Sequence, residues 1–115
     1  MTQEEMRQIN HIASNFQFEG NLMSAEPWGN GHINDTYLLT YEIGKMGCIR
    51  VILQKMNKKV FPRPVELMEN VSGVTSWLRK KIQENGGDVE RETLNIVNDK
   101  DNNPYYIDSE GEYWR

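Results

Sequence analysis

The sequence predicts an α+β domain with an antiparallel sheet of about five strands, a size ordinary for globular sheets. Three observations carry that expectation. The chain opens with apolar residues at helical spacing. Its middle alternates polar and apolar residues on either side of a glycine-rich turn, which is the mark of a hairpin. A second, longer helical pattern then separates this hairpin from short strand-like segments, and the order helix, hairpin, helix, strands favours an antiparallel sheet with helices packed on it.

The first helix is read over residues 3–16. Thr2-Gln3-Glu4-Glu5 fits a capping box, in which the Thr2 hydroxyl accepts from the Glu5 amide. Met6, Ile9, Ile12, Ala13 and Phe16 then share one face. Gly20-Asn21 ends that unit, and Ser24–Trp28 reads as a short strand. Pro27 confines this strand to an edge or an irregular end, because proline has no amide to donate.

From Asn34 to Ile43 the pattern alternates, with Tyr37, Leu39, Tyr41 and Ile43 on one face and Thr36, Leu38, Thr40 and Glu42 on the other. Gly44-Lys45-Met46-Gly47 is the turn. The run from Cys48 to Met56 is rich in β-branched residues and apolar on both faces over Ile49–Leu53, so it is expected inside the sheet with a layer packed on it.

Pro62 and Pro64 precede a helical pattern over 62–85 that stops at Asn85-Gly86-Gly87. Met68, Val71, Val74 and Leu78 are its expected packing face. Thr93–Asn98, Tyr105–Asp108 and Glu112–Arg115 are read as closing strands, joined by turns at Asp99–Asn103 and Ser109–Gly111. Cys48, Trp28, Trp77 and Trp114 are read as packing residues.

At 115 residues the chain is one domain, able to bury roughly two-thirds of its unfolded surface. A 37% hydrophobic content with eleven aromatic residues excludes wholesale disorder. The single cysteine excludes a disulfide scaffold. No apolar run is long enough to span a membrane, and no signal-peptide layout opens the chain, so a soluble, cytoplasmic protein is expected. A net charge of −4 argues against nucleic acid as a partner, but the charge is unevenly spread. Residues 45–81 hold nine bases and two acids, between two acidic flanks. That block is either a surface for a phosphorylated ligand or an ordinary solvated face.

The segment WGNGHINDTYLLTY carries the clearest functional signal. Gly29 and Gly31 allow close approach of main-chain amides to a ligand. They lie between two strands, as a glycine loop over nucleotide phosphates would, or as a tight turn needing two glycines would. Asn30, His32, Asn34 and Thr36 complete the candidate set. Neither a P-loop nor a dinucleotide fingerprint is present. No set of His, Cys, Asp and Glu has metal-ligand spacing, so no metal is expected in this chain alone.

GNGHINDTYLLTY, VILQKMNKKVF and PVELMENVSGVT, in that order, resemble the start of an aminoglycoside-phosphotransferase-like kinase. Within that group the chain is most similar to the N-acetylhexosamine kinases. The resemblance implies a protein-kinase-like N-terminal lobe: residues 1–115 would be the ATP-binding small lobe of a two-lobed phosphotransferase cut from something longer. The catalytic large lobe, with its metal-binding residues and sugar pocket, would lie outside these residues. The implied reaction transfers the ATP γ-phosphate to the anomeric hydroxyl of an N-acetylhexosamine, with Mg2+ entering only in the two-lobed protein.

Neither His11 nor His32 opens an H-x-D catalytic loop, so no catalytic residue is assigned in this chain. Where kinases place a phosphate-binding lysine on the third strand, this sequence has Gln54, with Lys55 beside it. Strand alternation sends the two to opposite faces, and either could be the one that meets the nucleotide. Glu69, or Glu66, is the helix partner that a kinase pattern would pair with this strand; as acids in a first helical turn, both also suit solvent. Tyr113 and Trp114, exposed by loss of a large lobe, are expected to promote self-association. The alternative is a free-standing α+β interaction module without kinase activity.

Overall fold

The structure, a computed structural model, describes residues 2–29, 35–89 and 93–115. The Thr2 hydroxyl accepts from the Glu5 amide at 3.1 Å and so opens helix α1, Gln3–Ala13. The helix stops three residues earlier than its apolar spacing predicts. Ser14 Oγ and Asn15 Nδ2 both donate to the His11 carbonyl, and such side-chain bonds compete with the next helical turn. Phe16 therefore leaves the helix, yet stays buried through an isolated bridge to Asp99.

Five antiparallel strands follow: β1 (Asn21–Pro27), β2 (Asp35–Glu42), β3 (Cys48–Lys55), β4 (Tyr106–Ile107) and β5 (Tyr113–Trp114). Their order in the sheet is β1-β2-β3-β5-β4. β1 is an edge, and Pro27 falls at its last position, where a missing amide does least harm. A single helical turn, Gly44–Met46, joins β2 to β3.

The alternation predicted for β2 holds. Leu39 and Tyr41 are buried with Leu53 of β3 beneath Ile9, Ile12 and Ala13 of α1. Phe16 and Phe18 stack at 5.4 Å, and Phe18 meets Tyr41 at 5.0 Å, extending this layer across the sheet. Burying a Leu or Phe fully stabilises by about 1.5–3 kcal/mol, so this face dominates the fold.

Several expectations are corrected. β3 does lie inside the sheet, between β2 and β5, with Leu53 buried under α1, but the cover is incomplete, and Ile49 and Ile52 are 37% and 46% exposed. Cys48 lies exposed at the start of this strand, not in the core. Helix α2, Pro64–Glu84, buries Pro64, Met68 and Thr75, while Val74 and Trp77 are each 58% exposed and Leu78 is also outside. Met68 is inside as expected, but the helix is turned so that Pro64 and Thr75 flank it, a rotation that periodicity alone does not distinguish. Thr75 is accommodated inside because its hydroxyl donates to the Val71 carbonyl at 2.9 Å. Trp28 is exposed as well.

Thr93–Asn98 forms no strand. The Asn95 side chain bonds the carbonyls of Val89 and Thr93, a local alternative to sheet pairing. Trp114, read as a packing residue but also as exposed if a large lobe is lost, is 2% exposed within the single chain, as the packing reading has it, and Tyr113 is half-buried. The indole is drawn in by Asp108, whose carboxylate accepts its N–H at 2.9 Å, and its ring packs 6.3 Å from that of Tyr37. The argument for self-association through Trp114 therefore falls. No helix among the described residues is long and apolar enough to cross a membrane.

Candidate functional site

The connection from β1 to β2 starts at Gly29, whose φ of +76° belongs to the left-handed region that favours glycine. The two strands close below it through the Trp28 amide, which donates to the Thr36 carbonyl at 2.9 Å. Asn30, Gly31, His32 and Asn34 lie outside the described residues. Gly29 and Thr36 thus frame the segment from either side, and both line an open cleft of about 280 Å³ with Trp28, Asp35 and Tyr37.

Strand register sorts the two candidates on β3. Thr36 pairs with Gln54, and Asp35 pairs with Lys55. Adjacent residues on a strand point to opposite faces, so Gln54 joins Thr36, Leu38 and Ile52, while Lys55 joins Asp35 and Tyr37. Gln54 Nε2 donates to Thr36 Oγ1 at 3.0 Å. Lys55 Nζ instead holds Asp35 in an ion pair of 2.9 Å and lies 6.0 Å from the centre of the Trp114 ring. The hydrogen-bonded Asp35 carboxylate keeps the Lys55 pKa above its ordinary value, despite the opposing effect of partial burial. Lys55 is therefore charged but engaged on the α1 side of the sheet.

The other side of Gln54 is occupied by a residue that sequence reasoning missed. Arg115 Nε donates to Gln54 Oε1 at 2.9 Å, and Arg115 Nη1 reaches Met68 Sδ of α2 at 3.7 Å. Thr36, Gln54, Arg115 and Met68 consequently form one continuous row from the β1–β2 connection to the buried part of α2. Glu69, next to Met68, is exposed. The Gln54 side chain is committed to Thr36 and Arg115 and not to an acid of the helix. Glu66 pairs with Arg63 at 3.4 Å.

The sequence offers Arg115 only as the last residue of a closing strand, and nothing local names a partner 61 residues away. Asp108 was also missed, although its signal is local. It heads an Asp-Ser-Glu-Gly turn in which its Oδ1 accepts from the amides of Glu110 and Glu112, each at 2.9 Å.

A second cleft, of about 300 Å³, lies between α1 and that turn and is lined by Glu4, His11, Asp108 and Glu110 among others. Its acids make it hostile to a phosphate. The cleft at Gly29 also carries two acids, Glu5 and the Lys55-paired Asp35, whereas the row behind Thr36 presents hydroxyl, amide and guanidinium groups. Among the described residues no group of three or more His, Cys, Asp and Glu could hold a metal ion. No protein-family model matches the chain.

Proposed function

We propose that this chain is the ATP-binding small lobe of a kinase-like phosphotransferase that acts on the anomeric hydroxyl of an N-acetylhexosamine. The observation that carries the reading is the hydrogen bond from Gln54 to Thr36, made immediately beside the glycine connection and on the face shared with Met68 of α2. A nucleotide lying under that connection meets donors suited to phosphate oxygens, and exposed Ile52 next to Leu38 offers an apolar surface to the base. The element order supports the same reading: two strands joined at glycine, a third strand, a helix, then closing strands. The sugar acceptor follows from the sequence resemblance alone.

Phosphoryl transfer is catalysed mainly by positioning and electrostatic stabilisation. Mg2+, bound with the large lobe, would neutralise phosphate charge. This chain's own residues would hold the phosphate chain from above and exclude water from one side of it. With only half a cleft, ATP binding is weak, because enclosed sites gain affinity by burying most of the ligand. Residues 1–115 are expected to phosphorylate no sugar.

Amide shift mapping with magnesium-ATP tests the assignment. Perturbations should centre on Trp28, Gly29, Thr36, Leu38, Ile52 and Gln54. Perturbations confined to residues 88–112, or turnover of an N-acetylhexosamine by this chain, would refute it.

A further inference from the structure

An amide at position 54 can donate to a phosphate but brings no charge, and Lys55 is tied to Asp35 on the opposite face. The cation nearest to Gln54 comes instead from the end of β5. Arg115 is seated on β3 by two backbone bonds of 2.8 Å, one in each direction between its main chain and that of Gln54. A guanidinium has five N–H donors. Here one is bonded to the side-chain Oε1 of Gln54, and another faces the thioether of Met68, a weak acceptor. No acidic side chain among the described residues forms an ion pair with it. Arg115 is half-buried, and burial lowers its pKa. A partly desolvated guanidinium whose described side-chain partners are a neutral amide and a thioether is left with unsatisfied donors, and an incoming anion would satisfy them.

We propose that Arg115 is the cation that binds the phosphate chain of the nucleotide, held in orientation by Gln54 at the inner end of the row that begins at Thr36. The inference rests on the nucleotide-binding reading above and adds to it the residue that carries the charge. The planar guanidinium suits this task, since it can meet two phosphate oxygens at once while its Nε remains on Gln54.

The test is a ligand ladder, titrating ATP, ADP, AMP and adenosine into the 115-residue chain and its variants by NMR. Arg115→Gln should weaken ATP binding about tenfold or more, the scale of a hydrogen bond to a charged group. The loss should shrink along the series and vanish for adenosine. Arg115→Lys should fall between, keeping charge but losing the fork. Lys55→Gln should leave the ladder unchanged. An unshifted Trp114 indole resonance will certify the fold; where Arg115→Gln loses it, the Arg115→Lys ladder decides. Equal losses for all four ligands, or none for ATP, would overturn the role of Arg115 while leaving the nucleotide site standing. Failure of the unsubstituted chain to bind any of the four would overturn both.

Discussion

Replacing Asp108 by Asn tests a part-buried set of three hydrogen bonds. The two carboxylate oxygens divide their work: Oδ1 accepts from the amides of Glu110 and Glu112, and Oδ2 accepts from Trp114 Nε1 at 2.9 Å. Asparagine can keep Oδ1 on the turn, but it then presents an amide N–H to the indole N–H. The alternative flip restores the indole bond and sets the amide against two backbone donors. Either way a part-buried donor, the indole or the Glu112 amide, loses its acceptor, at about 1–3 kcal/mol. An unfolding entropy of about 2.1 cal/mol/K per residue, over 115 residues, makes each kcal/mol worth about 4 °C in Tm. The expected loss is therefore about 4–12 °C, read by calorimetry and by urea unfolding at neutral pH. Trp114 should report it directly through faster exchange of its indole proton.

The pH dependence sharpens this test. Burial raises the Asp108 pKa, but the Trp114 indole, the amides of Glu112 and Glu110 and the charge of Lys55 together outweigh it. The carboxyl ends below its ordinary value of 3.8. A depressed folded pKa gives stability that is fully present above the unfolded value and is lost as pH falls through the folded one. Asp108→Asn has no such dependence at this site, so the gap between the two proteins should narrow as pH drops below 3.8. A loss under about 0.5 kcal/mol at neutral pH, within the range of an ordinary surface change, would refute the reasoning.

Gly20→Ala should destabilise by about 1–2 kcal/mol or more, because Gly20 has φ of +86° and an added methyl would collide with the Glu42 carbonyl. Gly86→Ala, at φ of +74° with open space around it, carries the backbone penalty alone and should cost less in urea unfolding; equal losses would show that the collision is relieved. Tyr41 is pushed up to about 12 by burial. Because its folded pKa is raised, the stability it confers is present below the ordinary value of 10.0 and fades as pH climbs toward 12. Ring-carbon shifts that titrate near 10.0 in the folded chain would contradict the burial of this phenol.

What was legible in the sequence is what a strand or helix writes locally. The alternation of Tyr37, Leu39 and Tyr41 announced a face, and the same rule parted Gln54 from Lys55 before register showed which of them joins Thr36. The capping box at Thr2 was readable for the same reason: donor and acceptor are three residues apart. Where the decisive partner is remote, the signal disappears. Trp114 could be read as a packing residue or as an exposed strand end, because its hydrogen bond depends on how the Asp108 turn folds back and its packing on Tyr37, far away in the chain. Arg115 reads as one more terminal charge until β5 lies against β3 and brings it to Gln54.

Helix α2 marks the limit most plainly. Met68 lies inside as expected, but Val74 and Leu78, placed on its face by spacing, lie outside, while Pro64 and Thr75, which spacing also allows beside Met68, lie inside. The choice was made by tertiary contact, through Met68 beneath Arg115. One consequence joins fold to function. Arg115 bridges the sheet and α2 through the residue that also touches Thr36, so a phosphate pulling on the guanidinium would load the Gln54 bond and the Met68 contact together. In the proposed lobe, nucleotide binding and the seating of α2 would then be a single event, because they draw on the same side chain.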